Sequence, residues 1–410
     1  MLNLTFTYRL RPTQEQIQLC DDWLEASRRV WNFALAERKD WYRSRSCSVD
    51  RCSLRGEYVI PADAPRPTFA RQCKALTQAR KVFPELKAAN AQMLQQVLRR
   101  LEKAFVSMWE QGRGFPRFKK QGRLRSLLFP QLGKTPIEGD RVKLPGMGWV
   151  RMRLSSPIPD GFEVKQAQVV KRASGWYVML TLQADVDVPV IHPHGRALGI
   201  DVGLESYLAT SDGELVKPPK FFVTLQRKLR LLQQRASHKV KGSNNWRKAH
   251  QRVAKVHEHI RNCRQDWFYK LAHRLCDGVG MAFAEKLNFK AWARGMFSKH
   301  TLDAAHGEFL RILKWVCGKR GVVYLEVDAK FTSQICPNCQ TVTGKKDLSV
   351  RVHECPVCGY RTNRDVAAAQ VVMQRGLAAV GCTVMMLGEG VRVTSPLTQE
   401  SPSIPAGVGG

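Results

Sequence analysis

Acidic residues are scarce in this chain. Its 410 residues carry 35 Asp and Glu against 66 Lys and Arg, a formal net charge of +31. So large an imbalance points to a polyanionic partner, and nucleic acid fits it better than a membrane. Long apolar runs are also missing. None approaches the ~18 residues a spanning helix needs, which excludes a transmembrane segment. The first residues, Met1-Leu2-Asn3-Leu4-Thr5, show no basic stretch followed by an apolar one, so no secretory signal is expected. There is no G-x-x-x-x-G-K-[ST] loop, so NTP hydrolysis is not indicated, and there is no internal repeat. Apolar material is not short, at 44% of residues, which excludes wholesale disorder. The length allows two to four domains at ~100–200 residues each.

Twelve cysteines are present. Cys20, Cys47, Cys52, Cys73, Cys263, Cys276, Cys317 and Cys382 are scattered, while Cys336, Cys339, Cys355 and Cys358 form two C-x2-C pairs separated by fifteen residues. Without a signal peptide this reads as a reduced cytosolic protein with a metal site. Each pair converges two sulfurs from one tight turn, and two pairs complete the tetrahedral shell that Zn²⁺ favours. The segments Thr332–Cys339 and Glu354–Gly359 therefore fit a zinc ribbon, closed and structural rather than catalytic.

The periodicity predicts a strand over 3–9, and a helix that starts at the T-x-x-Q box of Thr13 and Gln16 and runs to about Tyr42. Residues 46–67 read as a loop and 88–110 as a second helix, broken by Gly112 and Gly114. Short strands to about Gln183 follow, the clearest a hairpin of Ala167–Val170 with Trp176–Leu182. Residues 186–196 read as a linker. From Ala197 the pattern becomes α/β: strands at Ala197–Asp201, Tyr207–Ser211, Gly280–Glu285 and Val322–Val327, long helices over 222–278, a helix at His306–Cys317, and a helix from Arg364 capped by Asn363.

Three carboxylates occupy telling places. Asp201 ends a strand in Gly199-Ile-Asp-Val-Gly203, Glu285 ends another in Met281-Ala-Phe-Ala-Glu285, and Asp365 lies in the first helical turn of Asn363-Arg-Asp-Val-Ala367. A sheet of RNase H-like type would bring such ends together. Clustered carboxylates suit Mg²⁺, and two such ions ~4 Å apart could activate water for phosphodiester cleavage. Taken singly, each is more commonly a helix-dipole partner or a solvated strand end. Residues 216–265 hold fourteen Lys or Arg and one acid, Glu258. Exposed helices usually mix signs, so the candidates for phosphate contact are Arg227, Lys228, Arg230, Arg235, Lys239, Lys241, Arg247, Lys248, Arg252 and Lys255, interleaved with Phe221, Phe222 and Trp246. Gly114–Arg125 is a shorter basic–aromatic patch with Arg117, Lys119, Lys120, Arg123 and Arg125. The pairs His192/His194 and His257/His259 superficially resemble the paired-His metal site of single-strand nucleases, but one falls in the linker and the other on a basic helix, so neither is expected to bind metal.

Read together, these motifs resemble the TnpB family, the RNA-guided nucleases of bacterial insertion sequences related to type V CRISPR effectors. The resemblance rests on Tyr8-Arg-Leu-Arg-Pro12, Arg28-Arg-Val-Trp-Asn32, Gly114-Phe-Pro-Arg-Phe-Lys119, Gly175-Trp-Tyr-Val178, and the three acidic motifs and cysteine quartet in the family's order. It implies a multidomain α+β protein. A discontinuous β-barrel wedge domain would comprise 1–12 and 114–190, and a helical recognition domain 13–113. A RuvC-like nuclease of RNase H-like fold would span 191–388, with the zinc ribbon inserted at about 331–362, and 389–410 would be a disordered tail. The resemblance further implies Asp201, Glu285 and Asp365 as the catalytic Mg²⁺ ligands, structural Zn²⁺ on the four cysteines, a guide RNA from the transposon end, double-stranded target DNA cut beside a short flanking motif, retention of the transposon as the benefit, and a monomer with its RNA in the bacterial cytoplasm at the nucleoid. Two residues depart from the pattern: Lys286 stands where an acid is usual and Ala367 where Asn is usual, the latter a loss of support for a metal ligand. Three other readings remain open: a miniature type V CRISPR effector, a guided DNA-binding protein of repressor type, and a zinc-ribbon nucleic-acid binder without a guide.

Overall fold

The structure, a computed structural model, describes residues 1–46, 60–61, 63–219, 221–289, 303–347, 349–381, 383–387 and 390–394. They divide into two units, Met1–Val188 and Pro189–Gly410. The boundary falls inside the expected linker. Cys47, Cys52, Cys382 and most of the expected loop at 46–67 lie outside the described residues.

In the first unit, alternation along β1 (Leu2–Arg11) buries Tyr8 and Leu10. This strand sits inside a seven-stranded antiparallel sheet, between β7 (Gly175–Ala184) and β5 (Gly148–Arg153), with Tyr8 opposite Val178 and Leu10 opposite Met152. Outward from β7 lie β6 (Glu163–Arg172) and β2 (Ser126–Phe129), and outward from β5 lie β4 (Arg141–Leu144) and β3 (Ile137–Glu138). Among the described residues the strand pairings run in this order from β2 to β3. Helices pack on the sheet: sheet residues Phe129, Val169 and Leu180 share one core with helix residues Trp23, Leu94 and Phe105.

Those helices are α1 (Gln14–Ser46), α2 (Phe69–Val82), α3 (Pro84–Ala88) and α4 (Ala91–Gln111). The capping box at the start of α1 is reciprocal: the Gln16 N–H donates to Thr13 Oγ1 and the Thr13 N–H to Gln16 Oε1. Helix α4 stops at Gly112, whose φ of 61° is the left-handed C-cap that glycine adopts without strain. One buried cation lies among these helices. Arg38 pairs with Glu102 at 2.5 Å, donates to Gln72 Oε1 at 3.0 Å, and lies over the Phe105 ring.

The second unit is built on a five-stranded mixed sheet. Its order is β10 (Leu215–Val216), β9 (Leu208–Thr210), β8 (Ala197–Val202), β11 (Met281–Lys286), β12 (Val323–Asp328). Strands β8, β11 and β12 run parallel, while β9 and β10 return antiparallel. Leu198, Ile200, Ala282 and Ala284 point to one face, into a core with α6 (Asn244–Leu275) and α7 (His306–Arg320). Ala197, Met281 and Phe283 point to the other, against α8 (Arg364–Ala379). Helix α5 (Phe221–Ser237) packs on α6 through a small core of Leu229, Val256 and Ile260.

Between β12 and α8 lies the cysteine segment, which includes the two-stranded β13 (Val352–Glu354) and β14 (Arg361–Asn363). After α8, β15 (Thr383–Leu387) pairs with β16 (Gly390–Thr394). Strand β16 lies within the stretch expected from 389 to be a tail, and residues 395–410 lie outside those described.

Candidate active site and metal centre

Strand alternation decides which side chains meet. On β8 the residues facing α8 are 197, 199 and 201; on β11 they are 281, 283 and 285. The parallel register sets Met281 beside Ala197 and Phe283 beside Gly199, so one further step sets Glu285 beside Asp201. The third carboxylate comes from the helix on that face. Asn363 caps α8 by accepting the Asp365 N–H at 2.9 Å, which places Asp365 in the first turn.

Two glycines bring the helix close enough. A Cβ on Gly199 would collide with the Ala369 carbonyl oxygen and crowd Met373, and a Cβ on Gly376 would collide with the Phe283 ring. Backbone thus meets backbone at β8, and α8 lies flat against the sheet two residues before Asp201. Ser211 anchors the same region: its hydroxyl accepts the Gly199 N–H at 3.1 Å, and its carbonyl accepts from Gln370 of α8 at 3.4 Å.

Asp201 feels the charge of both other acids. Asp201 is partly buried, and its carboxyl is held well above the usual carboxylate range, first by lost hydration, then by Glu285 and Asp365; the Val202 N–H and Arg364 oppose this. Glu285 is 7% exposed and also raised, first by burial, with Asp328 adding, while the Thr332 hydroxyl and Arg375 oppose. Three carboxylates offer oxygen ligands only, and the repulsion that Glu285 and Asp365 exert on Asp201 is the kind a hard divalent cation relieves. Their oxygens are not gathered as tightly as the sulfurs: among the described residues, the cysteine quartet is the one group of potential ligand atoms all within 4.8 Å of one another.

The quartet has the geometry of a structural zinc site. Zn–S bonds of ~2.3 Å at tetrahedral angles set sulfurs about 3.8 Å apart. Here Cys336 and Cys358 are 3.7 Å apart and Cys339 and Cys355 3.5 Å. Each knuckle closes in the same way. The Gln340 N–H donates to the Cys336 carbonyl and the Gly359 N–H to the Cys355 carbonyl, both at 2.9 Å. Gln340 and Gly359 both take positive φ, 63° and 69°. Glutamine is held in that conformation by its side chain, which donates to the Pro337 carbonyl and to Gln374 of α8 at 2.7 Å. The four-cysteine cluster fits zinc.

The basic candidates fall on two surfaces. Arg227, Lys228, Arg230 and Arg235 on α5, Lys239 and Lys241 in the turn, and Arg247, Lys248, Arg252 and Lys255 on α6 are all exposed. In the first unit, Arg117, Lys120, Arg123 and Arg125 are exposed and Lys119 is half-buried. The second patch is gripped by α1. Trp31 Nε1 donates to the Arg117 carbonyl at 3.1 Å, and Asn32 Nδ2 to the Lys119 carbonyl at 3.0 Å. The Lys119 N–H donates to Asn32 Oδ1 at 2.8 Å. Two motifs far apart in sequence are thus one contact. The histidine pairs join neither centre: His192 and His194 are exposed outside any element, and His257 and His259 are exposed on α6. Ala367 is buried and has no polar side-chain atom to offer, and Lys286 is exposed. Thr332 and Arg375, which flank Glu285, carried no signal in the sequence, since only the fold brings them there.

The chain is similar to several known proteins. Family models match residues 1–47 ("Helix-turn-helix domain"), 181–295 ("Probable transposase") and 306–372 ("Cas12f1-like, TNB domain"). A protein of Escherichia coli K12 named "Putative RNA-guided DNA endonuclease InsQ" is 31% identical over 96% of this chain and 96% of its own. The chain belongs to the TnpB family. A second relative, from Streptomyces pristinaespiralis and named "Putative RNA-guided DNA endonuclease", is 30% identical over 94% of this chain and 91% of its own. The Cas12f1 chain of a complex with sgRNA and target DNA shares the fold with this TnpB-family chain, at a TM-score of 0.53 over 88% of this chain and 83% of that one, with 14% identity. The description of the N-terminal model does not match the local structure, where 2–11 form a strand and 14–46 a single helix. No described helix is long and apolar enough to cross a membrane.

Proposed function

We propose that this chain is an RNA-guided DNA endonuclease of an insertion sequence. It would cut double-stranded target DNA beside a short flanking motif, at a Mg²⁺ site formed by Asp201, Glu285 and Asp365. The observation that carries the reading is the shared field of these residues: three elements deliver three acids to one sheet face, and Asp201 is raised by both of the others. The relatives' names supply the guide and the substrate class.

In this reading the second unit, residues 189–410, is a RuvC-like nuclease with its zinc ribbon, and the antiparallel sheet and helices of the first unit act as wedge and recognition parts. Asp201, Glu285 and Asp365 would hold the metal. Bound Mg²⁺ supplies a lowered water pKa and neutralises the leaving oxygen of the scissile phosphodiester. The chain's own residues do the rest. The Gly199–Ala369 and Gly376–Phe283 contacts fix the distance between strand and helix carboxylates. The exposed bases of α5 and α6 neutralise phosphates. Base pairing by the guide supplies sequence choice, while the protein reads duplex shape and the flanking motif. The protein acts at DNA in the bacterial cytoplasm, and the cut favours retention of its transposon.

The test has two steps. RNA co-purifying from the native locus is sequenced, and the complex is given plasmid carrying a matching target. One abundant RNA from the element's end, with guided Mg²⁺-dependent cleavage, is expected. A CRISPR-repeat RNA would move the chain to the type V effectors, guided binding without cleavage to the repressor type, and heterogeneous RNA to an unguided binder.

A further inference from the structure

We propose that Thr332 is a positioning residue for Glu285, and that through it the folded zinc ribbon sets the geometry of the cleavage site. The inference rests on the reading of Glu285 as a metal-holding carboxylate.

Thr332 Oγ1 donates to Glu285 Oε1 at 2.5 Å, and both residues are buried, at 5% and 7% exposure. The Ala329 carbonyl lies 3.2 Å from the same hydroxyl. A threonine hydroxyl has one proton, and the nearer acceptor takes it. Glutamate has three rotatable side-chain bonds, so a carboxylate at the end of β11 is free to swing unless something holds one oxygen. Fixing Oε1 leaves Oε2 as the ligand atom, turned to a defined side.

The hydroxyl is itself held. The chain leaves β12 at Asp328 and turns through Phe331, which is 60% exposed and has a φ of 60°. A bulky residue keeps that conformation only where its surroundings impose it. The turn sends Thr332 inward as the first residue of a 3-10 turn, Thr332–Gln334. From there the chain enters the ribbon. The Gln334 carbonyl accepts both the Thr343 N–H, at 2.7 Å, and its hydroxyl, at 3.0 Å. Ile335 bridges Val342, and Cys336 is a sulfur ligand. The first knuckle is tied to α8, since Gln374 donates to the Pro337 carbonyl at 2.6 Å. A zinc-site sulfur therefore stands four positions along the chain from the group that aims a carboxylate. Partners that orient a metal ligand commonly affect affinity or rate by about 10–100-fold when removed.

The test compares wild type, Thr332→Val, Thr332→Ser and Glu285→Gln as RNA-loaded complexes, reading cleavage rate across a Mg²⁺ titration, zinc content and target-DNA binding. Valine keeps the shape and loses the proton. The expected result is a fall of about 10-fold or more in rate with a higher half-saturating Mg²⁺ concentration, while zinc content and DNA binding stay as in wild type. Serine restores the hydroxyl and should recover most of the rate. A valine variant with wild-type Mg²⁺ dependence overturns the inference. So does one that loses zinc with an unchanged Mg²⁺ midpoint, which would make the role structural, or a serine variant no better than valine. If wild type cuts and Glu285→Gln does not, only the Thr332 claim is at stake; if wild type does not cut, the nuclease reading falls and takes this inference with it.

Discussion

Gly199 and Ala369 touch backbone to backbone, and that contact holds the Asp365 helix against the Asp201 strand. Alanine at 199 would force the two apart. Overpacked cores lose about 1–3 kcal/mol, and a collision with backbone lies at the upper end. We expect Gly199→Ala to lower the stability measured by urea unfolding by roughly that amount and to reduce cleavage more steeply than stability. An unchanged urea midpoint would show that the helix can shift freely.

Asp201→Asn and Glu285→Gln should each lower cleavage about 10³-fold or more, with guided DNA binding retained. Gel-shift and cleavage assays on the same preparation separate the two effects. A near-wild-type rate in either variant removes that residue from the metal site.

The raised carboxyl of Asp201 gives a pH test with a definite sign. Its folded pKa lies above its unfolded value, so the folded state holds more protons and stability falls as pH rises from the unfolded pKa through the folded one. In Mg²⁺-free buffer, Asp201→Asn should melt above wild type at neutral pH, and the gap should close as the pH falls toward the usual carboxylate range. Added Mg²⁺ should raise the Tm of wild type and leave the variant nearly unmoved. A gap of the opposite sign at neutral pH would refute the crowding of like charges.

Cys336→Ser should reduce zinc content and destabilise the ribbon, because metal binding there is part of folding. Metal analysis of the purified variant is the measurement. A zinc content equal to wild type would overturn the ligand assignment.

Neutralising exposed bases on α5 and α6, for example Arg227→Gln with Lys228→Gln, should weaken RNA binding across sequences. It should also flatten the salt dependence by roughly one unit of slope for each phosphate that is no longer neutralised. An unchanged slope would place the nucleic acid elsewhere.

Much of this was readable before the fold. Thr13 with Gln16, Asn363 before α8, and the 163–184 hairpin carried local signals, and local interactions do hold them. The cysteine spacing alone indicated a shared site. Helix α2 was not read from the sequence: its core stripe of Phe69, Cys73 and Leu76 is short and shares its face with Gln72, which is buried because it bonds Arg38, the Ala34 carbonyl and Glu37. The carboxylates were visible as strand ends and a helix start, but their meeting depends on register and on two glycines, and the Thr332 partner depends on a turn at Phe331 that no local pattern announces.

The grip of α1 on residues 117–119 has a consequence for variation. The hydrogen bonds from Trp31 and Asn32 go only to main-chain atoms of that segment, the Arg117 carbonyl and both polar groups of Lys119, while the Lys119 ammonium lies over the Trp31 ring and Lys39 of α1 over the Phe118 ring. Every residue type except proline at 119 presents those same atoms. Those hydrogen bonds are therefore blind to the side chains displayed, and the exposed Arg117 and Lys120 can be exchanged while the segment keeps its path. That makes it a cassette: a place where a lineage, or a library, can alter what the protein touches without first having to rebuild how it is held.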